Sequence, residues 1–148
     1  MSSIFSVIKS NNKDLDVMTV SSENKQIVIE MPSQYFDYHD NMKHNDNFQN
    51  IFFAIIAIPA LTQCLQEIKE NFSDAYGMDI NEVMNDKTWF VSIANRYKTV
   101  FGTDLTSDEF VDCDTYEVAQ KLLNCGSTRS IEDFYNLLWN GRGDSDDE

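Results

Sequence analysis

The sequence predicts a mostly helical α+β domain, in which an N-terminal β-hairpin packs on one long, buried, proline-kinked helix that C-terminal helices wrap. Three observations carry this prediction. The stretch Ile51–Leu61 (Ile-Phe-Phe-Ala-Ile-Ile-Ala-Ile-Pro-Ala-Leu) has no charge and no side-chain hydrogen-bonding group. Two runs with the composition of strands precede it, joined by a short polar connector. After it, apolar residues recur at spacings of three and four between capping residues and glycines, which is the signature of successive amphipathic helices.

In chain order, Ile4, Phe5, Val7 and Ile8 place a short helix or strand at the N-terminal edge, and Asn11–Asp14 reads as a turn. Leu15–Val20 and Gln26–Met31 read as strands, the second rich in β-branched residues. The residues 21–25 between them are a suitable length for a hairpin. An isolated hairpin is marginal in water, so it needs the central helix beneath it, unless its open edge pairs with another chain. Pro32 suits the first turn of a helix. The following Tyr35, Phe36, Tyr38, His39 and Met42 give a short helix with an aromatic face.

Asn45, Asp46 and Asn47 are candidate N-caps for the central helix, about residues 47–71. Its first half is apolar on every side, and Leu61, Cys64, Leu65, Ile68 and Phe72 then narrow to one stripe. A bilayer span needs roughly 20 apolar residues, and the uninterrupted run is about half that, so burial in protein is expected. Pro59 lacks an N–H and its ring meets the carbonyl of Ile55, a cost of about 3 kcal/mol in a helix interior, so a kink is expected there.

Beyond Phe72, Ser73, Asp74, Gly77 and Asp79 supply turn and cap residues, and Ile80, Val83 and Met84 a short helix. Residues 87–101 form an amphipathic helix carrying Trp89, Phe90, Ile93 and Tyr97, stopped by Gly102. Thr106 with Glu109, Asp114 with Glu117, and Ser130 with Asp133 each pair a cap with an acid three residues on. The last two open helices expected to close at Gly126 and Gly141. The tail 142–148 is acidic, has no apolar anchor and is expected to be disordered. Residues 1–141 read as one domain; the alternative is two lobes, 1–72 and 73–141.

At 148 residues the chain can bury a real core. Its formal net charge of −14 opposes direct binding to nucleic acid or an anionic membrane and favours basic partners. The few Lys and Arg are scattered, so no local patch offsets that field. Three cysteines without a C-x-x-C pair, and no secretory leader, fit free thiols in a reducing cytoplasm.

No motif assigns catalysis, a cofactor or a metal. His39 and His44, with Asp37, Asp40 and Asp46 nearby, are five apart rather than the three or four that would set two ligands on one helix face. Cys113 lies between two acids that oppose thiolate formation. The run from Asp112 to Glu117 starts like a calcium loop but carries Glu117 where that loop needs glycine. Arg142-Gly143-Asp144 matches an integrin-recognition tripeptide by sequence alone. The remaining signals are surfaces. Tyr35, Tyr38 and His39 offer an aromatic contact face. Sixteen of the 25 acids fall in residues 74–148. Asp104, Asp108, Glu109, Asp112, Asp114 and Glu117 would form an acidic face for a basic protein if the fold gathers them.

The pattern Tyr35-x-x-Tyr38, Asn50-Ile-Phe-Phe and Ile58-Pro-Ala-Leu61 resembles uncharacterised small proteins of bacteriophages and bacterial mobile elements, over about residues 27–70. In composition the chain also resembles small acidic helical DNA-mimic inhibitors from such elements. These resemblances imply a bacterial or phage cytoplasm. The expected function is a non-catalytic protein–protein interaction protein, a homo-oligomer or assembly component. The alternative is an acidic nucleic-acid mimic that inhibits a nucleic-acid-binding protein such as a host defence effector.

Overall fold

The computed structural model describes residues 4–72 and 79–146, with side chains as far as residue 140. Three strands open the chain: β1 (Phe5–Lys9), β2 (Thr19–Ser21) and β3 (Ile27–Met31). They form one sheet in the order β1-β3-β2. β2 runs antiparallel to β3, with Val20 opposite Ile29, and β1 runs parallel to it, with Val7 opposite Ile29. The predicted hairpin is therefore present, with two corrections. Its first strand begins only at Thr19, since Val17 and Met18 before it are exposed. Its second strand is not an edge, because the N-terminal segment adds beside it. The pattern explains why β3 is central: Ile27, Ile29 and Met31 alternate along it and all three are buried.

Helix α1 (Ser33–Met42) follows Pro32, whose φ of −53° suits a helix entry. Asn45 caps the next turn through Oδ1, which accepts from the Asn47 N–H at 3.0 Å. The central element then has four parts: a 3₁₀ turn (Asp46–Phe48), α2 (Gln49–Phe52), a π turn (Phe53–Ala57) and α3 (Ile58–Phe72). The π turn lies where proline disturbs the ladder. Pro59 has no N–H for the Ile55 carbonyl, and upstream the Ile58 N–H reaches back five residues to the Phe53 carbonyl.

By length and composition alone, the helical run Asp46–Phe72 is long and apolar enough to cross a membrane. The sequence expectation counted only its uninterrupted half. Within the fold, Ile58, Leu61, Cys64 and Leu65 of α3 are buried in the core with the sheet. The expectation of burial on all sides fails for the first half: Phe52, Phe53 and Ile56 are half-buried, and Ile55 is 54% exposed.

The rest comprises α4 (Ile80–Val83), α5 (Thr88–Phe101), α6 (Ser107–Asp112), α7 (Thr115–Leu122) and α8 (Gly126–Asp146). Residues 73–78, which include the expected turn residues Ser73, Asp74 and Gly77, lie outside the described residues. The caps at Asp79, Thr106 and Asp114 form as expected, each side-chain oxygen accepting from an early N–H of its helix. Gly102 ends α5 in the left-handed region, with φ 78°. One hydrophobic core runs from Ile4 to Leu123 and joins the sheet, α3, α5 and α7.

Two boundaries differ from expectation. Asn124 and Cys125, at φ 59° and 55°, turn the chain after α7, and Gly126 begins the next helix rather than ending the last. Helix α8 therefore starts four residues before Ser130, whose Oγ donates to the Ser127 carbonyl within it at 2.8 Å. It also continues through Gly141 to Asp146, where a disordered tail was expected; residues 147–148 lie outside the described residues.

Candidate functional site

The aromatic helix keeps its expected exposure. Tyr35 and Tyr38 meet edge to face with centroids 6.0 Å apart, and Gln34 donates to the Tyr38 hydroxyl at 2.6 Å. Both rings and Met42 are exposed, and α1 buries no residue fully. His39 is half-buried, its ring 4.9 Å from that of Phe52. Burial holds the His39 imidazole below its ordinary range, and the Lys43 charge acts in the same direction. Asp37 pairs with Lys9 at 2.7 Å and Asp40 with Lys43 at 2.8 Å. Two of the three acids near the histidines, Asp37 and Asp40, are thus held in lysine pairs. Among the described residues, no three His, Cys, Asp or Glu side chains are grouped so as to hold a metal ion.

The acids separate into five and one. Asp108, Glu109, Asp112, Asp114 and Glu117 line one depression of about 480 Å³, together with Tyr97, Phe101 and Val118. The caps of α6 and α7 bring them there, because Thr106 and Asp114 start two short helices on either side of Cys113. Tyr97 and Phe101 stack one turn apart on α5, centroids 4.3 Å apart, and form an aromatic wall. Asp104 lies elsewhere, 3.4 Å from Lys98. The depression is not purely anionic. Lys121 pairs with Glu117 at 3.0 Å and lies over the Phe101 ring, and Lys69 donates to the Cys113 carbonyl at 2.5 Å. Burial pushes the Cys113 thiol up, with Asp114 and Asp112 adding to the effect against Lys69.

Cys64 faces the core. Burial pushes its thiol from the ordinary 9.0 up to about 12, with the Glu67 charge acting the same way and a hydrogen bond from Ser22 opposing. The neutral thiol is the form the fold holds, so this contribution is complete below pH 9 and is lost as pH rises toward 12. We expect iodoacetamide at neutral pH to leave Cys64 unmodified in the native protein and to alkylate it in urea, as read by peptide mass spectrometry. Native-state labelling at the rate of a free thiol would contradict this burial.

The surface that sequence reasoning missed is on α8. Ile131, Phe134, Tyr135, Leu137 and Leu138 each leave 50–69% of their surface exposed. C-terminal helices wrap the central element as expected, and α8 is one of them. It packs against α2 and the π turn through other residues. Gly126 lies against Phe53 and Ile58, Ser130 is buried, and Asp133 accepts from the Asn50 side chain at 3.0 Å. At 3.6 residues per turn, Ile131, Phe134, Tyr135 and Leu138 fall within about 100° of arc, centred roughly 120° round the helix from those contacts. Arg129, Glu132 and Asn136 take the far side. Amphipathic helices ordinarily turn the apolar stripe to their own core; this one turns its small and polar residues inward. Periodicity reveals such a stripe but not what covers it, so the only sequence signal was the Gly126 and Ser130 pair of small residues.

No family model matches the chain, and no curated protein or solved structure matches it, so the functional reading rests on these surfaces.

Proposed function

We infer that this chain is a non-catalytic protein–protein interaction protein, an acidic cytoplasmic assembly component of phage or mobile-element origin, and that it docks through the apolar strip of α8. The orientation of α8 carries the reading: large apolar side chains face solvent while glycine, serine and aspartate face the body. Scattered exposed apolar residues are normal, whereas a contiguous strip marks an interaction site. Tyr35 and Tyr38 on α1 offer a second contact face. The three free thiols suit a reducing compartment.

The second reading is an acidic decoy for a nucleic-acid-binding protein, favoured by the five acids around one depression. The lysines beside that depression weigh against it, since a phosphate mimic is strongest where its charges are unpaired.

One experiment separates the two. Tagged protein is used to capture partners from nuclease-treated lysate at low and high salt, beside Phe134→Glu/Leu138→Glu and Asp108→Asn/Asp112→Asn variants. Apolar contacts resist screening and surface charge contacts do not. Retention at high salt that the α8 variant abolishes is the expected result. Retention that washes off with salt and is lost only in the acid variant would replace this reading with the decoy.

A further inference from the structure

We propose that the α8 strip pairs with a second copy of this chain, the two helices lying antiparallel about a two-fold axis. The inference rests on the reading of α8 as a docking surface and names its partner.

Area is the first argument. By ordinary side-chain areas, Ile131, Phe134, Tyr135 and Leu138 present about 500 Å² on one copy, within the range of the largest patch that a monomer leaves bare. With a polar rim this approaches the ~800 Å² per partner that a stable interface buries. The strip is also accessible to another helix: every residue from Phe134 to Asn140 is exposed, so α8 extends beyond the body that holds its first turns.

Charge is the second argument. A chain of net charge −14 resists meeting its own copy unless the contact is free of acids. Ile131, Phe134, Tyr135 and Leu138 form such a contact, because Glu132 and Asp133 lie off the strip. The same net charge disfavours an anionic membrane as the occupant. Spacings of three and four are those of a helix–helix seam, and a uniformly apolar seam is self-complementary. Two-fold pairing is also the commonest closed arrangement for like chains.

The test uses the purified full chain in sedimentation equilibrium over a hundredfold concentration range, at low and high salt. The mass should rise toward twice the 17.1 kDa of one chain and persist at high salt. Phe134→Glu/Leu138→Glu should weaken the dimer at least about a hundredfold, with helix content and melting temperature unchanged because both side chains are exposed. Asn136→Glu, on the other side of α8, should leave it intact. Geometry is read in a Cys113→Ser/Cys125→Ser background. Tyr135→Cys, at the middle of the strip, should form an intermolecular disulfide. Ile131→Cys should not, because antiparallel pairing carries it roughly 12 Å from its own copy.

A monomer at every concentration would overturn the proposal. If that monomer still binds another protein at high salt through the strip, the docking reading survives and only its partner changes. If it binds nothing through the strip, both fall. Strip-dependent binding of the monomer to neutral phosphatidylcholine vesicles would also overturn pairing between copies. Disulfides at both 131 and 135 would overturn the antiparallel arrangement.

Discussion

Trp89→Ala is expected to lower the unfolding free energy by about 3–5 kcal/mol, the range for removing a buried aromatic from a core. Trp89 is fully buried and meets Phe90 edge to face. It also fastens the first part of the chain to the second. Its Nε1 donates to the Ser22 carbonyl at 3.2 Å and its backbone N–H to the Lys25 carbonyl at 2.9 Å, while Lys87 Nζ donates to the Glu23 carbonyl. All three acceptors lie in the β2–β3 connector, so truncation leaves a cavity and frees the Ser22 carbonyl. Trp89→Phe keeps most of the volume and loses the indole hydrogen bond, so its smaller loss should contain about 1 kcal/mol from the polar contact. Urea denaturation followed by far-UV circular dichroism measures both. A loss below about 1 kcal/mol for the alanine variant would mean that the connector is held by something other than this side chain.

Gly126→Val is expected to be the most damaging change on the α8 side, and Gly126→Ala a smaller version of it. A Cβ at this position would sit 2.6 Å from the Phe53 Cβ, and 3.3 Å from both the Asn50 carbonyl oxygen and Ile58 Cδ1. The Phe53 Cβ is fixed to its backbone and cannot swing aside, so α8 must lift from the π turn. Overpacking of this kind costs about 1–3 kcal/mol, against a gain of up to ~1 kcal/mol from replacing glycine in a helix. That gain is small at a first helical position, so net destabilisation is expected for alanine and more for valine. Melting curves give the energy. Loss of protection from hydrogen exchange along α2 and α8, with α5 and α7 unaffected, would locate it. An alanine variant as stable as the parent would show that the α8 contact has slack.

Much of the fold was legible because its signals are local. Capping residues at Asn45, Asp79, Thr106 and Asp114 place helix starts, and the alternation Ile27, Ile29, Met31 marks the buried strand. What was not legible depends on partners distant in sequence. Nothing between Ile4 and Lys9 states that this segment lies parallel beside β3, since pairing is fixed by both strands together. At Gly126 the local signal was read backwards: glycine after an apolar run is a common stop, but Asn124 and Cys125 already turn the chain. That glycine is there for close approach to Phe53. The acidic site was half legible, because the caps Thr106 and Asp114, each followed three residues on by an acid, start neighbouring short helices that bring five acids together, whereas Asp104 follows Lys98 instead. The helix that carries the α8 strip was legible from its spacing, but periodicity does not say which way an apolar stripe faces.

The π turn at Phe53–Ala57 has a consequence for the reading frame of the helix faces. A π turn holds one residue more than the α turn it replaces. The central element therefore carries a single-residue insertion absorbed without a loop, inside its most apolar stretch. Each residue turns an α-helix by about 100°, so an added residue in a regular helix would rotate α2 against α3, and the π turn takes up that rotation. That is how one continuous element directs Phe52 toward His39 while Leu61 and Leu65 stay in the core. A chain one residue shorter between Phe53 and Ala57 would keep α2 and α3 in the same phase without the π turn, apart from the ladder break that Pro59 imposes, so this hydrophobic centre is a place where the protein's length can change without a change of architecture.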